Sequence, residues 1–319
     1  MSRKSALILG CKGQDGSLLC HSLLNKGYRV VGTSRSEYVS ASNLSSLGIE
    51  KDVEVKKIEI TDFIEIKKII EKEKPQEIYN LAAQSSVGAS FSQPIETSES
   101  IVMGTVSLLE AAKKSNYTGK IFFSGSGDIF GNTEKAAVIS DTQKPNSPYA
   151  IGKQCSLNLV KFYREVYGIN CLTGILFNHE SPFRNSNYVT HKIIHGAIEC
   201  YLKKKEKIYL GNINIARDWG WAEEYVEAMQ LMLSSKISKD QVICTGILTT
   251  LKEFIEITFK KLNLDYRNHL ISDPQLFRET DIKISYGNPQ GIEKDLGWKA
   301  TVKIDEIIDR LIKSKLDTI

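Results

Sequence analysis

Residues 5–19 read SALILGCKGQDGSLL: a short apolar strand runs straight into Gly10-Cys-Lys-Gly13-Gln-Asp-Gly16 and then into an apolar helix start. Each glycine has its own reason to be there. Gly10 suits a tight strand-to-helix turn, Gly13 lets backbone approach a pyrophosphate, and Gly16 lets the helix pack close on the strand. The helix N-terminus offers unpaired N–H groups and partial positive charge to a phosphate. Three glycines alone are weak evidence. At the first strand–helix turn of an alternating chain they point to a dinucleotide site. Gln14 and Asp15 open the helix, and Asp15 also has the plain role of an N-cap-like residue.

The alternation runs through the first 180 residues. Residues 5–10, 29–34, 53–60, 77–82, 120–125 and 171–177 read as strands, with helices over Gly16–Lys26, Asp62–Lys74, Pro94–Ser115 and Ser147–Tyr167. Short apolar strands separated by helices imply a parallel sheet covered on both faces. That is the doubly wound α/β, or Rossmann, class. After Phe177 the rhythm loosens into a polar loop (NHESPFRNSN), a helix (VTHKIIHGAIECYL) and a short strand (KIYLG). WAEEYVEAMQLML and QVICTG then read as a helix and strand that rejoin the sheet. The expected organisation is a dinucleotide-binding domain over 1–177, with 213–246 rejoining it. A smaller, interleaved α/β substrate-binding domain takes 178–212 and 247–319.

Composition narrows the function classes. The 319 residues are 41% apolar and 25% charged with a net charge of +4, which is ordinary for a globular protein and too small to argue for nucleic acid. The basic run LKKKEK (Leu202–Lys207) reads as a solvated helix end. Six cysteines, none in a C-x-x-C pair, read as buried free thiols in a reducing compartment. The first residues match neither a signal peptide nor an anchor, and no run approaches the roughly 20 apolar residues of a membrane span. The expected location is the cytoplasm, without membrane or nucleic-acid partners.

The second strand ends in GTSRS. Ser34, Arg35 and Ser36 stand where an enzyme strict for the unphosphorylated cofactor puts a carboxylate. A guanidinium with hydroxyls suits a 2′-phosphate, so NADP is expected over NAD. Tyr149 and Lys153, four apart at a helix start, share one face. A nearby ammonium favours the phenolate, so the tyrosine can take and return a proton. Before them, SGSGDIFG (124–131) follows the fifth strand. Ser126 can hydrogen-bond a substrate hydroxyl, and Asp128 can accept a proton from carbon or simply make the turn. His191 and His195 lie one helical turn apart without a nearby acid, so amphipathic decoration is favoured over a metal site and no metal is expected. Trp219 and Trp221 read as core, and Arg217 as a possible diphosphate contact.

GCKGQDGSLL, GTSRS, NLAAQSSVGASFSQP, SPYAIGK, YREVYG, GILFNHESPFR, RDWGWAEEYVEAM and LGWKAT together cover nearly the whole chain. On these motifs it resembles the GDP-mannose 4,6-dehydratase family of extended short-chain dehydrogenases/reductases. The resemblance implies that a GDP-sugar binds between two lobes while Tyr149 takes the proton from the sugar 4-hydroxyl and hydride passes to NADP⁺. A carboxylate then removes the C5 proton, water leaves from C6, and hydride returns there. It also implies that Gly10, Gly13, Gln14, Asp15, Arg35, Ser36, Ala83, Gln84, Ser85, Tyr149, Lys153, His179 and Arg184 line the cofactor site. Ser85, Ser126, Asn178, Lys192, Arg217 and Arg278 would hold the GDP-sugar. The family assembles as homodimers or homotetramers through its cofactor-site loops, here SRSEYVSASNLSSLG. Where the family has Thr-Ser-Glu or Ser-Ser-Glu, this chain has Ser126-Gly127-Asp128. The carboxylate is kept but shortened by one methylene, roughly 1.5 Å, and Gly127 offers room for adjustment. The alternatives on this scaffold are a GDP-4-keto-6-deoxy-sugar reductase or epimerase, which needs no C5 base, and a catalytically silent nucleotide-sugar-binding partner.

Overall fold

The computed structural model describes residues 3–36, 42–277 and 280–319. Seven strands form one parallel sheet: β1 (Ser5–Leu9), β2 (Arg29–Ser34), β3 (Glu54–Lys57), β4 (Glu77–Asn80), β5 (Lys120–Ser126), β6 (Cys171–Leu176) and β7 (Gln241–Ile243). Their spatial order is β7-β6-β5-β4-β1-β2-β3, so the crossover direction reverses between β1 and β4. Ligand crevices in doubly wound sheets open at that reversal, outside the carboxyl ends of the strands. β1 and β4 are buried along their whole length, as central strands of a sheet covered on both faces are, although β4 carries Glu77 and Asn80 at its ends.

Helices cover both faces. On one face, α1 (Gln14–Asn25) packs Leu19 and Leu23 against Met229 and Met232 of the later helix Ala222–Ser234. On the other, α2 (Phe63–Glu73), α3 (Gly104–Lys114) and α4 (Pro148–Tyr167) bury Ile66, Leu108 and Val160 over the sheet. A separate core joins α5 (Val189–Tyr201), the helix Leu251–Lys261 and the last helix, Ile304–Leu316. Phe254, Phe259, Ile308, Trp219 and Trp221 fill it, so both tryptophans are core.

Several local expectations change. The third strand stops at Lys57 instead of running to residue 60, because the chain turns back there, with Asp62 N–H donating to the Glu59 carbonyl. The helix expected over Pro94–Ser115 carries a π-helical turn at Glu99–Met103. That turn leaves the Ile101 carbonyl to accept from the Thr105 and Ser156 hydroxyls at 2.7 and 3.1 Å, and Gly104 follows where a Cβ would press on Ile60. Asn178–Glu180, read as loop, pairs in parallel with Trp219–Trp221. Five cysteines are buried as expected, but Cys155 is exposed, because it lies on the outer face of α4.

β7 is held by side chains as well as by its ladder. Arg164 of α4 makes a two-pronged contact with Asp240 at 2.8 and 2.7 Å, and the same carboxylate accepts from the Thr173 N–H in β6. Charge-assisted forked pairs of this kind fix orientation as well as contributing energy.

Candidate active site

At the end of β1, Gly10 adopts φ +85°, and a Cβ there would lie 2.8 Å from the Ala82 nitrogen. A Cβ on Gly16 would strike the Gly10 carbonyl. Two of the three glycines are thus required by sterics, one for left-handed backbone and one for close packing. Gly13 is the N-cap of α1 and supplies no side-chain cap, which leaves the first-turn N–H groups uncapped by a side chain at the carboxyl end of β1. The residues present therefore fit a bound pyrophosphate.

Behind this turn lies a polar cluster that joins the sheet to the segment after β6. His179 Nε2 lies 3.0 Å from both oxygens of Asp15, and its Nδ1 is 2.7 Å from the Phe177 carbonyl. Both ring nitrogens face acceptors, an arrangement that only an imidazolium satisfies fully. Burial opposes charging of His179, yet the Asp15 carboxylate carries its pKa above the ordinary value. Burial likewise opposes ionisation of Asp15, and His179 outweighs it to hold that carboxyl below its ordinary value. Gln14 donates to the His179 carbonyl and accepts from Ser181 Oγ. Arg184 donates to the same carbonyl at 2.8 Å, pairs with Glu180 at 2.5 Å and stacks on Tyr188.

The proton-transfer residues converge from β5 and α4. Lys153 Nζ donates to the Ser124 carbonyl at 2.7 Å and lies 5.8 Å from the Tyr149 ring centre. Burial lowers the Lys153 pKa to about 8, with Asp15 pulling the other way. Tyr149 is pushed up by burial and by the Asp128 carboxylate, while a hydrogen bond with Ser126 opposes the rise. A nearby ammonium was expected to favour the phenolate; here burial and Asp128 outweigh Ser126 and hold the Tyr149 pKa above its ordinary value. Asp128 sits in the short 3-10 turn Gly127–Phe130, and its N–H donates to Ser126 Oγ at 3.3 Å. Gly127 is not the source of freedom expected of it. A Cβ there would lie 2.8–2.9 Å from three atoms of the Phe177 ring, so the glycine serves close packing. Beneath Lys153 is a cavity of about 10 Å³, roughly one water in size. Ala83 lines it, as do Asn80 and Thr173, whose Oδ1 and Oγ1 have no hydrogen-bond partner among the described residues.

The remaining expected residues spread around this centre. Gln84 spends its amide on the local turn, with partners in Ser86, while Ser85 Oγ meets the Tyr188 hydroxyl at 2.9 Å. Arg35 is exposed and pairs with Glu96 at 3.2 Å. Ser36 accepts from Lys12 Nζ at 2.5 Å through its carbonyl. Asn178 stands in register with Trp219, two residues from Arg217. Arg217 is buried and donates to the Ala216 carbonyl. Lys192 is exposed on α5, not drawn into the cluster. Arg278 lies outside the described residues, as do residues 37–41 of the loop on which assembly was expected to depend.

Sequence reasoning passed over Lys12, Glu180 and Tyr188. Lys12 was legible as a cation inside the glycine turn. Tyr188 precedes a helix with no distinguishing pattern, and only the fold brings it to Ser85. His191, expected as amphipathic decoration of its helix, is buried and donates through Nε2 to the Ser181 carbonyl at 3.0 Å. No cluster able to hold a metal ion occurs among the described residues.

Comparison with known proteins agrees with this geometry. The profile of the family described as GDP-mannose 4,6 dehydratase matches residues 7–311. GDP-mannose 4,6 dehydratase 1 of Arabidopsis thaliana is 35% identical over 326 aligned positions, covering 99% of this chain and 90% of that protein. The Homo sapiens GDP-mannose 4,6 dehydratase is 34% identical, with 99% and 92% covered. Among solved structures, a dTDP-glucose 4,6-dehydratase from Streptomyces venezuelae with NAD bound superposes with a TM-score of 0.87 at 20% identity, over 98% of this chain and 97% of that one. A UDP-glucose 4-epimerase from Thermotoga maritima gives 0.86 at 21%, with 98% and 99% covered. At those identities the structures speak for the fold alone. The sequence matches go further, and the chain belongs to the GDP-mannose 4,6-dehydratase family.

Proposed function

We propose that this protein is a 4,6-dehydratase that converts GDP-mannose, or a closely related GDP-sugar, to the GDP-4-keto-6-deoxy sugar with loss of water. The observation that carries this reading is the meeting of Tyr149, Ser126 and Asp128 at the carboxyl end of β5. A C4 acid–base pair needs the first two, and only a dehydratase also needs a carboxylate there. The reductase and epimerase readings leave Asp128 no role beyond the turn that it occupies.

NADP is the proposed cofactor. Gly10, Gly13 and the first turn of α1 would hold its pyrophosphate, Lys12, Arg35 and Ser36 its 2′-phosphate, and Tyr149 with Lys153 its nicotinamide ribose. When bound and oxidised, it supplies a hydride acceptor and a positive ring. His179 neutralises Asp15, so the helix start does not repel phosphate. A hydrogen bond with Ser126 offsets part of the desolvation of Tyr149, which takes the 4-hydroxyl proton. A C4 ketone acidifies the C5 proton. Asp128 would remove that proton and pass it to the departing C6 hydroxyl, which leaves as water. Hydride equal to that lost from C4 would then be regained at C6 while C5 takes the proton held by Tyr149, which gives the 4-keto-6-deoxy sugar with no net change in the cofactor. Asn178, Lys192, Arg217 and Arg278 are the proposed contacts for the GDP-sugar, beside Ser85 and Ser126.

The proposed division remains a dinucleotide-binding domain over 1–177 plus 213–246, and a substrate-binding domain over 178–212 and 247–319. Ile151, Phe162 and Val166 form an exposed apolar stripe along α4, with Met103 also exposed on the adjoining helical segment. That stripe supports a homodimer, alone or within a tetramer. Unpaired cysteines support a cytoplasmic location, and no helix among the described residues is long and apolar enough to cross a membrane.

Mass spectrometry of the purified protein with GDP-mannose and a trace of NADP⁺ tests the reading. A product lighter by one water, formed in excess over cofactor, is expected. Stoichiometric consumption of NADPH with a GDP-4-keto-6-deoxy sugar, and no water loss from any GDP-sugar, would replace it with the reductase.

A further inference from the structure

Between α5 and the last helix, behind the Pro182–Arg184 turn, lies a second cavity of about 180 Å³. It exceeds the space of one water by roughly an order of magnitude. Its polar lining is Arg184, His191, His195, Ser314, Lys315 and Thr318. No carboxylate is in that lining. Glu180 stands behind Arg184, which it neutralises, and also accepts from Thr190. Glu199, one turn beyond His195, is paired with Lys205. Lys315 has no ion pair among the described residues. The His191 and His195 rings meet edge to face at 5.6 Å.

The charge balance of this cavity is one-sided. Arg184 and Glu180 cancel, and Lys315 remains. Burial holds both imidazole pKa values down. The positive charge of Lys315 adds to this at both rings, Arg184 adds to it at His191, and Glu180 and Glu199 oppose it in turn. His191 already donates through Nε2, so a proton added at Nδ1 would give it a second donor. The cavity thus holds one unmatched ammonium, two imidazoles able to charge, and hydroxyls, with no acidic group to satisfy them.

We propose that this cavity binds a dianionic phosphate group, either the free ion or a phosphomonoester. Lys315 supplies the charge, His191 and His195 take up protons as the anion enters, and Ser314 adds a hydroxyl donor. The site is distinct from the dinucleotide turn and does not depend on the dehydratase reading. It is nonetheless linked to that turn. Its wall belongs to the segment whose Ser181 bonds Gln14 and whose Arg184 bonds the His179 carbonyl.

The test is isothermal titration of the full chain with inorganic phosphate and with methyl phosphate, in phosphate-free buffer at about pH 6 and about pH 8. The imidazole resonances are followed by NMR alongside. His191 and His195 should titrate at higher pH when phosphate is present, and binding at about pH 8, where both ligands are dianions, should be accompanied by proton uptake. Lys315→Met should weaken binding about tenfold, the effect of losing one charge-assisted contact, and His195→Gln should reduce the proton uptake that accompanies binding at about pH 8. Lys315→Glu, at a partly exposed position, gives a second variant with the charge reversed. Binding of both ligands assigns the site to esters, and binding of inorganic phosphate alone assigns it to the free ion. No binding by the wild type, or binding unchanged in both Lys315 variants, overturns the proposal.

Discussion

His179 Nε2 lies 3.0 Å from each carboxylate oxygen of Asp15, although 164 residues separate the two in the chain. The contact ties the segment after β6 to the first turn of α1. Its charge state sets its pH dependence. The raised His179 pKa means a stabilisation fully present below the free imidazole value of 6.5 and lost as pH climbs through the folded value. The lowered Asp15 pKa means a stabilisation present above 3.8 and lost as pH falls through its folded value. His179→Gln should therefore cost about 2 kcal/mol near pH 5–6 and progressively less toward pH 9. Urea midpoints of both proteins across that range check it, and a gap that stays constant above pH 6 would refute the imidazolium.

Asp128 is the group whose removal separates the steps of the reaction. Asp128→Asn should abolish loss of water while leaving cofactor affinity nearly unchanged. It should also free Tyr149 from a neighbouring negative charge and lower its pKa. Oxidation at C4 would then persist, seen as a rise in reduced-nicotinamide absorbance, with its pH profile displaced to lower pH. Normal turnover in this variant would remove Asp128 from the mechanism.

Lys153 titrates at about 8 because it is buried. Its ammonium is thus lost just above neutrality, and kcat should decline as pH rises through that value. Lys153→Arg, which stays charged, should move the decline upward even if its maximum is lower. Lys153→Met should lower kcat by about 10²-fold or more. A decline at the same pH in the Arg variant would assign it to another group.

Gly127 is wedged against Phe177. Gly127→Ala should lower stability by about 1–3 kcal/mol through overpacking. It should also lower kcat, since displacing Asp128 by about 1 Å can cost roughly 10²-fold. Adding Phe177→Leu should restore part of both losses. Additive losses in the double variant would mean that the two side chains do not meet.

Arg35 and Lys12 bracket the end of β2. Arg35→Ala should weaken NADP binding by about tenfold or more and leave NAD nearly unaffected. Fluorescence titration with both dinucleotides is the measurement. Equal weakening would remove the argument for a 2′-phosphate, and NAD would become the proposed cofactor.

The sheet and its glycine turn were legible because each depends on neighbours in sequence. Apolar strands alternate with amphipathic helices, and Gly10 and Gly16 answer to steric demands within one turn. The Tyr149–Lys153 pair was legible from helical spacing. What the sequence hid was tertiary. Nothing near Tyr149 announces that burial and Asp128 would raise its pKa. Nothing in SGD says that Gly127 is there for the Phe177 ring, 50 positions away. The π-turn at Glu99–Met103 goes with an Ile101 carbonyl that accepts from Ser156 on another helix. The pairing of Asn178–Glu180 with Trp219–Trp221 was hidden because a three-residue strand has too little pattern to read.

The position of β7 bears on how the chain is made. A ribosome that has delivered residue 177 has produced six of the seven sheet strands, but not the one that covers the outer edge of β6. Until Gln241–Ile243 emerges, that edge presents unpaired N–H and C=O groups to any neighbouring nascent chain. Arg164, for the same interval, has no Asp240 to grip. Synthesis of α5 and of Trp219–Trp221 falls inside that window. The stretch of translation between Leu176 and Ile243 is when this protein is most exposed to mispairing, and a pause there should matter more for its yield than a pause anywhere earlier.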